Sequence, residues 1–135
     1  MKKLFLDDDN GVDFCGLGIY SYTNTVKLVW SINQQENFNF ERVSGTNNEK
    51  ADTHLNTHFV FYDEDYNCTY YLIKNKGSDQ AIFNSKIEIP FFMVITGDEQ
   101  ALAMEHCKSI LKDNKNIAAI HPLEPKILNK LAVYL

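Results

Sequence analysis

The stretch "HFVFYDEDYNCTYYLIKN", residues 58–75, decides how the rest of the chain is read. Two runs rich in Phe, Tyr, Val and Ile flank the acidic "DEDYN" (63–67), the pattern of two antiparallel strands joined by a polar turn. Side chains alternate across a strand, so Phe59 and Phe61 share one face while Val60 and Tyr62 share the other. Both faces of this hairpin are therefore substantially apolar. One is expected beneath a helix, and the other needs a cover. Phe59, Phe61, Tyr62, Tyr70 and Tyr71 are accordingly candidates for an interface, set against burial of the same residues within the monomer. The turn lacks the glycine and spacing of a calcium loop and reads as a solvated tip.

N-terminal to this hairpin, residues 3–9 and 12–20 read as two strands around Asn10-Gly11. Asn-Gly suits a type I′ turn, because both central positions need positive φ. A two-residue loop would set Asp8 against Asp13, Leu6 against Cys15, Phe5 against Gly16 and Leu4 against Leu17. Two like charges directly opposed are destabilising, so Asp8 and Asp13 are weak candidates for holding a cation. The acidic run fails as an EF-hand, since Leu6 stands where the first ligand belongs. Gly16 and Gly18 lie on one strand face, which favours close packing of a helix backbone over phosphate binding.

"SYTNTVKLVWSINQQEN" (21–37) is expected to be a helix. Val26, Val29, Trp30 and Asn33 form its apolar stripe, with Leu28 and Ile32 beside it and Thr23 or Asn24 as N-cap. "FNFERV" (38–43) reads as a strand and 44–57 as a surface loop. After a polar turn at 76–80 come "AIFNSKIEI" and the apolar strand "PFFMVITG". A second helix begins near Asp98, with Thr96 and Glu99 spaced as a capping box. Gln100, Ala103, Met104, Cys107, Ile110, Leu111 and Asn114 fit one face of it. A short strand at 117–121 and one or two helical turns at 124–131 complete the chain.

The expected architecture is a single α+β domain over 1–135, an antiparallel or mixed sheet with two main helices on one face in a two-layer sandwich. The last strand–helix–strand unit could form a right-handed parallel crossover. At 135 residues such a domain buries roughly two-thirds of its unfolded surface.

Composition narrows the function. The net charge is −5 and Arg42 is the only arginine, which disfavours nucleic-acid binding through a basic surface. No apolar run approaches the roughly 18–20 residues of a membrane span, and "LFL" after "MKK" is too short for a signal-peptide core. The cytoplasm is the default location. Cys15, Cys68 and Cys107 are far apart in sequence and odd in number, with no C-x-x-C, so they read as free buried thiols. His54 and His58 have zinc-ligand spacing, but Leu55 replaces the glutamate of H-E-x-x-H and His58 opens a strand. His106 and Cys107 are adjacent on a helix and point about 100° apart. No catalytic residue, cofactor site or metal site emerges. A non-enzymatic module acting through a protein partner or self-association, as a homodimer for instance, is the expectation; a ligand pocket between sheet and helices is the alternative.

Taken together, "KKLFLDDDNGVDFCGLGIYS", "YTNTVKLVWSINQQENFNFERV" and "FVFYDEDYNCTYYLIKN" resemble a family of small bacterial proteins labelled by the motif Ile-Pro-Glu-x-x-x-Val-Asp-Tyr (IPExxxVDY-type). The resemblance, over roughly residues 2–98, is one of order and texture. At the motif this chain has Asn84 and Ser85 in place of Pro and Glu, and Ile89, Pro90 and Phe91 in place of Val, Asp and Tyr. The resemblance implies a small domain of no established activity and transfers no catalytic residue.

Overall fold

A computed structural model describes residues 13–35, 38–42, 58–75 and 89–132. The expected Asn10-Gly11 turn, Asp8, His54 and the loop 44–57 lie outside the described residues. The elements are β1 (Phe14–Tyr20), α1 (Thr25–Asn33), β2 (Glu41–Arg42), β3 (His58–Asp63), β4 (Cys68–Lys74), β5 (Phe91–Gly97), α2 (Gln100–Leu111), β6 (Ala119–Pro122) and α3 (Pro125–Leu131). The six strands form one sheet in the order β2-β3-β4-β5-β1-β6, and every neighbouring pair is antiparallel. The fold is α+β.

The 58–75 hairpin forms as read, with Phe59 opposite Leu72 and Phe61 opposite Tyr70. Its turn is held locally. The Asp63 carboxylate accepts from the Asp65 backbone N–H at 2.9 Å, and Asn67 takes a left-handed φ of 54°, which asparagine tolerates. Gly97, at φ +129°, lies against that turn; a Cβ there would sit 2.4 Å from the Asn67 carbonyl oxygen. Only glycine lets β5 end beside the hairpin.

Leu17 of β1 has a strand on each side, pairing with Met93 on one and Pro122 on the other. Gly16 likewise faces Val94, while its carbonyl accepts from the Leu123 N–H at 3.0 Å. Residues 3–9, the expected partner strand, lie outside the described residues. One expectation about the two glycines needs correction: the close approach is made by side chains and, at Gly16, by the Met93 carbonyl of β5 at 3.0 Å, not by a helix backbone. A Cβ on Gly16 would meet Leu123 at 3.0 Å and Leu128 at 3.2 Å, and one on Gly18 would meet Ile89 at 3.1 Å. The crossover expectation also changes, because β5 and β6 run parallel but β1 lies between them. The result is a split β-α-β unit, and no parallel pair makes the sheet mixed.

The core forms two clusters, one on each face of the sheet. Leu17, Ile19, Tyr70, Leu72, Met93 and Ile95 belong to the first, together with Leu28, Val29 and Ile32 of α1 and Ala103, Cys107 and Leu111 of α2. Ile73, Phe92 and Val94 belong to the second, with Ile127 and Leu131 of α3. A third, partial layer therefore lies on the opposite face, where two layers were expected.

Polar side chains fasten α1 in place. Asn24 caps it, its Oδ1 accepting from Lys27 N–H at 2.8 Å. At the other end Asn33 acts as a surrogate strand, its Oδ1 accepting from Phe40 N–H at 2.8 Å and its Nδ2 donating to Phe40 C=O at 3.1 Å. Asn114, expected on the α2 face, lies beyond that helix and bridges the two helices. Its Nδ2 donates to Gln35 Oε1 at 2.8 Å and to Ser31 Oγ at 3.2 Å. The expected capping box on α2 is absent: Thr96 remains in β5, and Glu99 occupies the cap position without a side-chain bond.

Candidate functional site

Helix α1 is rotated relative to the expected stripe. Leu28, Val29, Ser31 and Ile32 face inward, whereas Val26 is 74% exposed and Trp30 62% exposed. The sequence contains two overlapping apolar stripes about a third of a turn apart, and helical periodicity cannot choose between them. The sheet accepts the one carrying the Leu28/Ile32 pair, leaving Val26 and Trp30 one turn apart on the outer surface.

These two residues border a groove of about 620 Å³. Its walls bring together Lys27 from α1, Arg42 from β2 and Lys74 from β4, with Phe59 as a buried apolar wall. Three cations line it together with the sole tryptophan of a chain whose net charge is −5. None of the three is ion-paired to a described residue. The groove runs into a cleft of about 420 Å³ at the N-terminus of α1, lined by Ser21, Thr23, Asn24, Thr25 and Lys74 among others. Exposed tryptophan beside cations suits an anionic partner that also presents apolar surface.

The opposite strand ends are acidic. Glu64 and Asp65 in the β3–β4 turn and Asp98 and Glu99 after β5 are all exposed. Asn67 ties the two turns together, its Nδ2 donating to Asp98 Oδ2 at 2.6 Å and its C=O accepting from Asp98 N–H at 3.3 Å. Tyr62, 51% exposed, donates its hydroxyl proton to Asn67 Oδ1 beside them.

The five aromatic interface candidates do not form one surface. Phe59 is buried and lines the α1 groove. Phe61 and Tyr70 join Phe38 and Phe40 in a cluster with ring centroids 5.6–6.4 Å apart, and the Tyr70 hydroxyl donates to buried Asp63 at 3.1 Å. Tyr71 packs, partly buried, on the other core cluster, and Tyr62 alone is mostly outside. Asp13 is exposed at the start of β1, where its carbonyl accepts from Gln100 Nε2 at 3.0 Å. Among the described residues no group of three or more His, Cys, Asp or Glu could hold a metal ion. No helix among them is long and apolar enough to cross a membrane.

The thiols, distant in sequence, converge on the inner face of the sheet near Asp63 and Tyr70. All three are free. Burial pushes the Cys15 thiol up to about 11, helped by Cys68 nearby, and burial also raises Cys68 and, strongly, Cys107. Held protonated, they are poor nucleophiles near neutral pH. Burial likewise raises the Tyr70 phenol, with the Cys107 and Asp63 side chains adding to it. His106 turns away from Cys107, its ring 5.5 Å from that of Tyr66.

The groove residues Val26, Trp30, Lys27, Arg42 and Lys74 were not legible as a site. The available signal was weak: a tryptophan on one of two competing stripes, and a lone arginine. No family model matches the chain, and no match is found among curated proteins or solved structures. The IPExxxVDY-type resemblance therefore rests on sequence texture alone, and the groove has to be interpreted from its own chemistry.

Proposed function

We propose that this protein is a non-enzymatic interaction module whose α1 groove receives an acidic protein segment bearing an apolar or aromatic side chain. The observation that carries the reading is the exposure of Val26 and Trp30 beside Lys27, Arg42 and Lys74. Apolar contact gives such a site affinity, and the cations give it orientation and a preference for acidic partners. The protonated thiols add support, since the titratable cluster inside the sheet supplies no ready nucleophile near neutral pH.

Trp30 is the only tryptophan, so its emission reports the groove directly. A synthetic acidic peptide with one tyrosine, titrated into the intact protein at low salt, is expected to shift that emission to the blue. Adding salt to about 1 M, where charges are screened beyond about 3 Å, should reverse the shift. The double substitution Lys27→Glu with Lys74→Glu should abolish it. Emission that ignores the peptide at millimolar concentration would refute the reading.

A second reading, small-ligand binding, draws on the adjoining cleft of about 420 Å³ and its polar lining. Native mass spectrometry of protein purified from its own host tests it, because a retained small molecule would add mass.

A further inference from the structure

We infer that the segment received by the α1 groove is the acidic tip of a second copy of this chain, a contact that rests on the interaction reading above. The two halves complement each other in charge and in kind. The groove presents Lys27, Arg42 and Lys74 together with Trp30 and Val26, and the tip presents Glu64, Asp65, Asp98 and Glu99 beside half-exposed Tyr62.

The sheet keeps the halves apart within one molecule. β3 and β4 are antiparallel, so the turn after Asp63 and the C-terminal residue Lys74 fall at opposite ends of the hairpin. Cys68 and Lys74 are the two ends of the seven-residue β4, about 20 Å apart along the strand. A tip cannot reach the groove of its own chain, so the contact joins one copy to the next, head to tail.

The tip is also pre-shaped. Asp63 bonds the Asp65 N–H and the Tyr70 hydroxyl, while Asn67 binds Asp98 and Tyr62. A turn fixed this way loses little conformational freedom on docking. Among the described residues, the sheet edges offer a poorer route to self-association. β2 is two residues long, and β6 is four residues ending in Pro122, which has no N–H to donate.

The test uses two variants of the intact chain that change exposed or half-exposed side chains: a groove variant, Lys27→Glu with Lys74→Glu, and a tip variant, Glu64→Lys with Asp65→Lys. Sedimentation velocity up to about 1 mM covers weak self-association. The wild-type protein is expected to self-associate, at least tenfold more weakly in about 0.5 M salt than in 0.05 M. Each variant alone should sediment as a monomer. Their equimolar mixture should form dimers and stop there, because each partner keeps one working half. Dimers in the mixture also establish that both variants fold. A wild-type protein that stays monomeric while Trp30 responds to the acidic peptide overturns self-docking and leaves the interaction reading standing. Silence in both assays overturns both. Self-association untouched by either variant places the contact elsewhere and overturns this assignment.

Discussion

Raising the pH from 8 to about 11 tests whether the inner face of the sheet is as closed to water as its geometry indicates. Cys15, Cys68, Cys107 and Tyr70 all hold their protons more tightly in the folded chain, chiefly because burial penalises the charged form. For Cys15 the rise is from an ordinary 9.0 to about 11. Above pH 9 the unfolded chain gives up this proton while the folded chain keeps it. Stability from this source is therefore complete below about pH 9 and is lost as pH climbs to about 11. For Cys15 alone, partly open to solvent, the loss by pH 11 is on the order of 1–2 kcal/mol after allowance for screening, against the 5–15 kcal/mol typical of a domain. Urea denaturation at half-unit steps of pH, with a reducing agent present, measures it. The Cys15→Ala variant should lose on the order of 1–2 kcal/mol less than wild type over the same range. Iodoacetamide at pH 8 should alkylate Cys15 about tenfold more slowly in the folded than in the urea-unfolded protein, the smaller thiolate fraction being partly offset by higher nucleophilicity. Equal alkaline losses for wild type and Cys15→Ala would refute the argument. So would fast alkylation of the folded thiol, which would also reopen the case for cysteine chemistry.

Other substitutions probe the local devices. Gly97→Ala should destabilise the protein by at least about 2 kcal/mol in chemical denaturation, because its φ of +129° and the 2.4 Å approach of the Asn67 oxygen leave no room for a Cβ. A loss under 0.5 kcal/mol would show that the β5–hairpin junction is misread. Asn33→Ala removes both bonds to the Phe40 backbone and should cost about 1–3 kcal/mol, with faster hydrogen exchange at the Phe40 amide. Thr25→Val should raise stability by about 1 kcal/mol, since the Thr25 hydroxyl is buried without a hydrogen-bond partner among the described residues. A fall in melting temperature for that variant would show that the hydroxyl is satisfied in solution.

What could be read from the sequence lay within short windows. The 58–75 hairpin followed from two aromatic runs around a polar turn, the α1 cap from Asn24, and the inward Ala103, Cys107 and Leu111 from helical spacing. Each is set by hydrogen bonds and periodicities spanning a few residues, which the local sequence encodes. Selection between locally equivalent options was not encoded there. Apolar residues flank the expected stripe of α1, and only docking against the sheet and α2 turned Leu28 and Ile32 inward and left Val26 and Trp30 outside. The described partners of β1, Phe91–Gly97 along the strand and Ala119–Pro122 beside Leu17–Tyr20, lie about 70 to 105 residues away, beyond any local window. Loop closure costs little more for a long loop than for a short one, so pairing partners follow from burial across the whole molecule and not from proximity in sequence. The gathering of Lys27, Arg42 and Lys74 in one groove with Trp30 is of that second kind. Single cations scattered over the sequence become one site only when α1, β2 and β4 meet.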